Sequence, residues 1–300
     1  MTIDPDPDGL HRRRQQRRRV AVRATQRRRR SPWRWLLCGC LAFVLCSVVG
    51  TASLRWFAPP TSAFMLAARI GAVLAGDRDF TLAQRWLPLD AQSPWAAVAV
   101  IAAEDQKFRH HRGFDFDAMR AALTAHGRGA KLRGASTLTQ QLAKNLYLWS
   151  GRSWLRKGLE AWFTVLLEAF LDKRRLLELY LNVVEFGPGV YGVEAASLRY
   201  FGHGAERLDV EEAALLAAVL PNPKRYRVDA PSVYVRARQR WILQQMRQLG
   251  GAAVVAGLFR LDLVGPNLFA HYIDLHGMGS RQARMSPNMD TPRSSSKCHR

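Results

Sequence analysis

The sequence predicts an all-α body that follows one membrane-spanning helix. Nineteen residues from Leu36 to Leu54 carry no charge. As a helix they would measure about 28 Å, close to the hydrocarbon thickness of a bilayer. From Trp154 to Val184 apolar residues recur every three or four positions, which is the helical period. No sustained run alternates apolar and polar residues between hairpin turns, so the body is expected to be all-α or nearly so.

The charge distribution indicates a membrane partner for the basic N-terminus. The 300 residues are 48% hydrophobic, enough for one large domain, and their net charge is +21. The first 34 residues hold twelve Arg and three Asp. Such basicity commonly indicates nucleic-acid binding, but the uncharged run that follows favours anionic membrane lipids. We therefore expect membrane lipids and no nucleic acid as partners.

The flanks of the uncharged run predict its orientation. Trp33, Trp35 and Trp56 lie near its two ends, where aromatic side chains prefer the membrane interface. The Arg-rich side is expected to stay in the cytoplasm and the remainder to be exported, which makes the chain a single-pass membrane protein. The alternative is a cleaved signal peptide, but its apolar region would be shorter and no convincing cleavage site follows.

Cysteine usage is compatible with an exported body. Cys38, Cys40 and Cys46 lie inside the apolar run, and Cys298 lies near the C-terminus. Residues 55–266 contain no cysteine. The body therefore has neither a disulfide framework nor a cysteine-based metal site.

Helix signals predict the remaining elements in order. A juxtamembrane helix follows Pro59 and Pro60, and Ser93 with Pro94 begins an apolar helix. Asp209 and Glu212 form a capping box. The predicted helices cover Ala63–Leu74, Trp95–Glu104, Asp117–Ala125, Thr139–Leu148, two helices in Trp154–Val184 that meet near Asp172, Ala213–Leu220, and a long basic helix from Pro231 to Gly250.

Composition divides the chain into five parts. They are a basic cytoplasmic tail at 1–34, a transmembrane helix at 35–55, a juxtamembrane segment at 56–92, the main domain at 93–265 and a C-terminal extension at 266–300. The extension is poor in aliphatic residues and ends in Ser, Pro, Asn and basic residues. It is therefore expected to be largely disordered.

The first stretch that could take part in catalysis is Glu104–Asp115, where an apolar helix is followed by acids, bases and an aromatic residue. Glu104 follows the apolar residues 96–103, so burial could raise its pKa and make it a general base. The alternative is a helix end with solvated charges.

Three further stretches carry polar residues at helical spacing. In Gly134–Asn145 a Ser/Thr cluster begins a helix, and Gln141, Lys144 and Asn145 share one face of it. This arrangement could bind a diphosphate. The alternative is an ordinary capped helix. Arg152 precedes Arg156, Lys157 and Glu160. For Arg156 and Glu160, the alternative to a functional role is a plain salt bridge within the helix. In Lys173–Asn182, Glu178 and Asn182 are expected to be structural. The glycine-rich residues 185–192 predict a turning loop.

These stretches, taken in order, resemble the signature of the family 51 glycosyltransferases, the lysozyme-like polymerases of peptidoglycan. The motifs are Glu-Asp-x-x-Phe-x-x-His-x-Gly, Gly-x-Ser-Thr-x-Thr-Gln-Gln, Arg-Lys-x-x-Glu and Lys-x-x-x-Leu-Glu-x-Tyr-Leu-Asn. The resemblance runs from about Ser93 to Gly251. It implies a lysozyme-like helical glycosyltransferase domain at 93–265 that joins lipid II into β-1,4-linked glycan and releases undecaprenyl diphosphate.

The resemblance also implies roles for individual residues. Glu104 matches the general base and Glu160 the second essential carboxylate. Lys144 and Arg152 match positions that stabilise the diphosphate. The other residues that match the cleft are Ser136, Thr137, Gln140, Gln141, Asn145, Arg156 and Lys157. No organic cofactor is implied; Mg²⁺ or Mn²⁺ could assist, with Glu160 as a candidate contact, but one carboxylate does not define a metal site.

The residues Glu185-Phe186-Gly187 resemble the monofunctional branch of the family. Ser294 to Lys297 reads Ser-x-x-Lys, but no Ser-Asp-Asn or Lys-Thr-Gly partner accompanies it, so no transpeptidase is expected. The expected partners are lipid II, lipid-linked glycan, membrane lipids and, further, other cell-wall synthases or division proteins. Two alternatives stay open: a lytic transglycosylase or muramidase that cuts glycan, and a non-catalytic membrane-anchored scaffold.

Overall fold

The computed structural model describes residues 32–128, 136–151 and 153–251, and these residues form a mostly helical body. The elements follow one another as α1 (Pro32–Ser53), α2 (Ala63–Leu74), β1 (Ala83–Gln84), α3 (Pro94–Glu104), α4 (Phe116–Gly127), α5 (Leu138–Tyr147), α6 (Trp154–Phe170), α7 (Lys173–Val183), β2 (Glu185–Gly187), β3 (Val190–Tyr191), α8 (Val193–Phe201), α9 (Val210–Val219) and α10 (Val233–Gln248). Short 3₁₀ turns occupy Leu89–Ala91 and Ala205–Arg207. The predicted mostly helical fold is confirmed.

Helix α1 has the length and composition of a membrane anchor. Residues Trp33–Ser53 have a mean hydropathy of 2.1, and only 11% of the apolar window is buried against the rest of the chain. A soluble core helix of this length would be buried on most sides, whereas α1 leaves its N-terminal half exposed. The second half of α1, in contrast, packs against α6.

Helix α3 lies at the centre of the body. Every residue from Ala96 to Ala102 is buried, and the helix packs against α7, α9 and α10. A helix that is apolar on all sides must be covered on all sides. The end of α3 is therefore held rigidly, and Glu104 is its last residue.

Capping residues explain why the helix limits lie close to the predicted ones. Ser93 accepts a hydrogen bond from the backbone of Trp95 with Pro94 at the first position. The predicted capping box of Asp209 and Glu212 is present at the start of α9. Asp172 caps α7, which confirms that two helices meet there.

A small sheet and helix α8 were not expected from the sequence. The sheet has the order β1-β3-β2, with β1 parallel to β3 and β2 antiparallel to it. Strands of two or three residues are too short to show an alternating pattern. Helix α8 begins after Gly192 without a side-chain cap, so its start carries no sequence signal.

Residues 1–31 of the predicted tail, the predicted disorder of 266–300 and the site residue Arg152 lie outside the residues that the structure describes, whereas residues 32–34 of that tail form the start of α1. The five-part domain division stays a prediction.

Candidate active site

Glu104 ends the buried helix α3 and is itself largely enclosed. Its side chain is 14% exposed. One carboxylate oxygen accepts a hydrogen bond from Nε2 of Gln141 at 2.9 Å, and the other accepts one from Nη2 of Arg238 at 3.1 Å. Glu104 is therefore not a solvated helix end, and the alternative considered for this residue is wrong.

Tyr180 fixes the orientation of Gln141. The hydroxyl of Tyr180 donates to Oε1 of Gln141 at 2.9 Å, which turns the amide nitrogen of Gln141 toward Glu104. Burial raises the pKa of Tyr180 well above its ordinary value, so the hydroxyl keeps its proton. Three side chains from α7, α5 and α3 thus form one chain of hydrogen bonds that ends at the Glu104 carboxylate.

The surroundings of Glu104 shift its pKa in the direction that suits a proton acceptor. Burial raises the pKa of Glu104 above its ordinary value, while the Gln141 hydrogen bond and the charges of Arg238 and Lys144 partly oppose that rise. The net direction is upward, as the sequence predicted from the apolar residues before Glu104. A carboxylate with a raised pKa accepts a proton more readily.

Asp105 holds the segment after α3 in place. Its carboxylate lies 2.9 Å from Nε2 of His111 and accepts a hydrogen bond from the backbone N–H of Leu138 at 3.0 Å. Leu138 is the first residue of α5, where orphan N–H groups attract an anion. Asp105 therefore joins the Glu104 end of α3 to the start of α5.

The predicted residues at the start of α5 divide into two groups. Thr137 and Gln140 are buried and form a reciprocal capping box, and the Thr137 hydroxyl also donates to the carbonyl of Gly113 at 2.6 Å. Their polar groups are engaged in starting the helix. Ser136 is exposed. Asn145 is buried two residues before the end of α5.

Lys144 stands on the same helix as Gln141, next to the charged residues of α6. Burial lowers the pKa of Lys144, and the negative charge of Glu160 opposes this effect most strongly. The ammonium group lies 5.7 Å from the ring centroid of Phe64 and makes no hydrogen bond within the described part of the chain. Its donors are thus available to a ligand.

Glu160 holds two more cations beside Lys144. Arg156 donates from Nη1 to Glu160 at 2.9 Å, one turn apart, and Lys157 pairs with the other carboxylate oxygen. The helical salt bridge considered as an alternative for Arg156 is therefore present. Nε of Arg156 is buried without a partner among the described residues. Three cations surround one carboxylate here, so the cluster has a net positive charge suited to an anion.

A groove adjoins this cluster beyond Phe64. Its volume is about 440 Å³, and its walls come mainly from α2, the loop after α5 and the β2–β3 hairpin. The polar residues that line it are Asp77, Ser150, Glu185, Tyr191 and Lys224. The predicted turning loop is this hairpin, and it forms one wall of a cleft.

The sequence did not indicate two residues at the centre of the site. Arg238 comes from α10, in a helix with many basic residues, and only the packing of α10 on α3 brings it to Glu104. Tyr180 lies within the fourth motif but had no predicted role. The structural roles predicted for Glu178 and Asn182 are consistent with their contacts, since they accept hydrogen bonds from the backbone of Leu89 and Leu87.

The residues around Glu160 do not form a metal site of their own. Within the ranges that the structure describes, no three His, Cys, Asp or Glu residues are grouped so as to hold a metal ion. Both oxygens of Glu160 already face cations. A divalent ion that binds Glu160 would be repelled by the positive charges of Arg156 and Lys157.

Comparison with known proteins agrees with the helical body and its cleft. A family model described as Transglycosylase matches residues 72–247, more than half of the chain. A protein of Citrobacter koseri, named biosynthetic peptidoglycan transglycosylase, is 60% identical over 193 residues, which cover 64% of this chain and 80% of that protein. Proteins with the same name from Shewanella amazonensis and Xanthomonas campestris pv. campestris are 52% and 48% identical. They match 74% and 75% of this chain, and 89% and 92% of their own lengths.

The family match spans α3 to α7, and with them Glu104, Lys144 and Glu160. The relatives are matched over four-fifths or more of their length, so the similarity covers most of each relative and not an isolated motif. This chain therefore belongs to the transglycosylase family and is a membrane-anchored peptidoglycan glycosyltransferase.

Proposed function

We propose that the enzyme polymerises lipid II into β-1,4-linked glycan strands and releases undecaprenyl diphosphate. The observation that supports this most directly is the arrangement along α5. Gln141 contacts the carboxylate with a raised pKa, and Lys144, one turn later, lies beside the cationic cluster of α6. A base and an anion site on adjacent turns suit a reaction in which a hydroxyl attacks and a diphosphate leaves.

In the proposed reaction Glu104 is the general base. It takes the proton from the 4-hydroxyl of the acceptor sugar in lipid II while that oxygen forms a bond to C1 of the growing donor chain. The bond between C1 and the diphosphate oxygen breaks, and the leaving diphosphate keeps the electron pair. Attack opposite the leaving group inverts C1, and the proton ends on Glu104. Gln141 and Arg238 hold the carboxylate in position.

The cations near Glu160 stabilise the leaving diphosphate in this proposal. Lys144 and Arg156 have donors free of partners among the described residues, and Lys157 adds a third charge. Arg152, which matches a diphosphate position by resemblance, is proposed to join them. Glu160 then acts by orienting Arg156 and Lys157. Ser136 and Asn145 stay candidates for further cleft contacts, whereas Thr137 and Gln140 act through the start of α5.

Mg²⁺ or Mn²⁺ enters no step of this mechanism. Because Glu160 is already paired with two cations, an assisting ion would have to depend on oxygens of the substrate's diphosphate. No organic cofactor is proposed.

The proposed location is the bacterial cytoplasmic (inner) membrane, with the N-terminus in the cytoplasm and the body outside, in the periplasm. The Arg-rich N-terminus before α1 supports this orientation. Other cell-wall synthases or division proteins are proposed as partners because glycan strands must be attached to existing wall.

Polymerisation by the purified full chain in detergent tests the function. Labelled lipid II should be converted into long glycan with release of undecaprenyl diphosphate. Isolated glycan strands, the substrate of a lytic enzyme, should remain uncut because the cleft carries cations for an anionic leaving group. Cleavage of glycan without polymerisation would favour the lytic alternative, and failure in both assays would favour the scaffold.

A further inference from the structure

Helix α10 carries a row of positive charges that the proposed reaction does not use. Its 16 residues, Val233–Gln248, include four Arg and no Asp or Glu. Arg238 points to Glu104 and is part of the site. The other three, Arg236, Arg240 and Arg247, are exposed. On a helix surface a basic residue is commonly balanced by an acid one turn away, and α10 provides no such acid.

The neighbouring helices do not neutralise these charges either. Helix α10 packs on α3 and α9, where Glu104 and Glu212 are paired with other residues. Within the described ranges, no Asp or Glu forms an ion pair with any of the three exposed Arg residues. Arg236 makes a neutral contact, since it donates to Oε1 of Gln239 at 3.2 Å. Three positive charges on α10 are therefore available to an anionic partner.

Two aromatic side chains accompany the exposed Arg residues. Tyr234 is 52% exposed and Trp241 is 43% exposed. They lie seven residues apart, so they share one side of the helix. An exposed ring offers a flat apolar surface on which the C–H groups of a sugar can stack. We call Tyr234, Arg236, Arg240, Trp241 and Arg247 the α10 face.

The α10 face belongs to a part of the body that is remote from the anchor. Helix α1 packs on α6, α6 on α5, α5 on α7, α7 on α3, and α3 on α10. Several helices therefore lie between α1 and α10. With α1 as the membrane span, this order favours a partner in the compartment outside the membrane over lipid headgroups.

Peptidoglycan has the chemistry that matches this face. Its sugar rings are uncharged and carry short peptides with free carboxylates. Arg binds carboxylates through paired N–H donors, and the aromatic rings suit the sugars. Helix α10 is about 24 Å long, so its contacts are spread along a line, which suits a polymer. A stable protein interface has a continuous apolar centre, whereas here Arg238 lies between the two rings.

We infer that the α10 face binds the peptidoglycan of the existing wall, so that the enzyme holds the wall while it makes new glycan. The binding goes beyond the proposed reaction, because it requires neither Glu104 nor lipid II and no bond is formed or broken. It depends on α1 as the span and on peptidoglycan as the family's product.

Cosedimentation of the full chain with purified, insoluble wall tests this binding. The chain is kept in detergent, and the bound fraction is measured at increasing amounts of wall. The Arg residues among 12–30 are replaced with Gln in every sample. An anionic polymer would otherwise bind this N-terminal segment, which is expected to face the cytoplasm.

Joint replacement of Arg236, Arg240 and Arg247 with Gln should weaken binding to the wall at least about tenfold, which corresponds to about 1.4 kcal/mol. The matched control replaces three exposed Arg residues on other elements and removes the same charge. It combines Arg78→Gln, Arg109→Gln and Arg120→Gln, and its binding should stay near that of the parent. Trp241→Ala should also weaken binding, and Trp241→Phe should restore most of it because a ring is kept.

Enzymatic removal of the stem peptides from the wall tests the role of the carboxylates. Binding of the parent should then fall to the level of the triple Arg variant, and unchanged binding would overturn the inference. Equal losses in the triple variant and its control would overturn it too, since binding would then follow net charge alone. Stronger binding to vesicles of phosphatidylethanolamine and phosphatidylglycerol than to wall would assign the face to the membrane.

A parent chain that does not sediment with the wall at all would also overturn the inference and would leave an acidic protein as the occupant. Polymerisation of lipid II in detergent is assayed separately. The triple Arg variant should polymerise like the parent, because its three residues lie outside the proposed site. Failure of the proposed reaction is therefore distinguishable from failure of wall binding.

Discussion

At the scale of single residues, the pKa of Glu104 is subject to opposing effects. Burial at the end of α3 favours its protonated form, while Gln141 and Arg238 favour the carboxylate. A general base has to lose its proton before the reaction and accept one during it, so an intermediate pKa serves both steps. Arg238 therefore acts as a positioning residue, since it touches the carboxylate and has no proposed contact with substrate.

Glu104→Gln should abolish the base and spare the fold. Turnover should fall at least about a hundredfold, the usual size of a general-base contribution. Gln141 can accommodate the new amide by flipping, because the hydroxyl of Tyr180 can accept as well as donate a hydrogen bond. Polymerisation rate and thermal melting of the variant should be compared with Glu211→Gln, an exposed residue of α9. Near-normal polymerisation by Glu104→Gln would refute the base assignment.

The pKa shift of Glu104 also predicts the direction in which Glu104→Gln changes the stability of the fold. Because the pKa of Glu104 is raised on folding, its protonated form favours the folded state. That contribution is present at acid pH and is lost as the pH rises through the folded pKa. Glu104→Gln should therefore melt no lower than the parent at neutral pH.

Arg238→Gln should shift the pH dependence of the reaction. Removal of this cation raises the pKa of Glu104 further, so the acidic limb of the kcat/KM profile should move to higher pH. Arg240→Gln, an exposed residue on the same helix, is the control and should leave the limb unchanged. A uniform fall in rate at every pH, with no displacement of the limb, would show that Arg238 has only a structural role.

Lys144→Ala tests whether turnover requires a cation at a fixed position or only the overall positive charge of the chain. Turnover should fall by roughly a hundredfold, the loss expected when one oriented donor to a developing anion is removed. Arg152→Ala should act in the same direction. Replacing several Arg among residues 12–30 with Gln should spare turnover in detergent, because membrane attraction needs only net charge. Equal losses of turnover from both sets of substitutions would refute the diphosphate role of Lys144 and Arg152.

At the scale of elements, the sequence predicts helices well where a cap or a period marks them. Ser93, Asp172 and the capping box of Asp209 each begin a helix as expected. The sheet and α8 lack such local signals. The contact between Arg238 and Glu104 joins residues 134 positions apart, and no local pattern encodes it. The individual site motifs were predictable, but the partners that set the pKa of Glu104 required the packed structure.

Gly192→Ala should destabilise the junction between the hairpin and α8. Gly192 has a φ of 82°, and an added Cβ would lie 2.8 Å from the carbonyl oxygen of Asn182. Backbone strain alone costs on the order of 1–3 kcal/mol. Gly202→Ala is the matched control, because its φ is 76° with nothing within 4 Å of the added atom. Gly192→Ala should show the larger loss in melting temperature, and equal losses would mean that the close approach relaxes freely.

At the scale of the whole molecule, the basic N-terminus, the apolar helix α1 and the cationic cluster of α6 follow one another in that order. Eleven Arg precede α1, a twelfth (Arg34) lies in its first turn, and the cationic cluster of α6 lies on the helix that packs against α1. A substrate carried by a membrane lipid presents its diphosphate at the membrane surface. For the proposed substrate, the packing of α1 on α6 would also fix the height of Lys144 and Arg156 relative to that surface.

A reporter fused after Gly250 tests the direction of this axis. Since positively charged flanks stay in the cytoplasm, alkaline phosphatase at this position should be active, and β-galactosidase at the same position should be inactive. Replacing the Arg residues among 12–30 with Gln should weaken this bias, because the orientation depends on their charge and not on the length of α1. Active β-galactosidase in the parent fusion would place the body in the cytoplasm. Glu104 and the cationic cluster would then face the wrong side of the membrane for glycan that is built outside the cell.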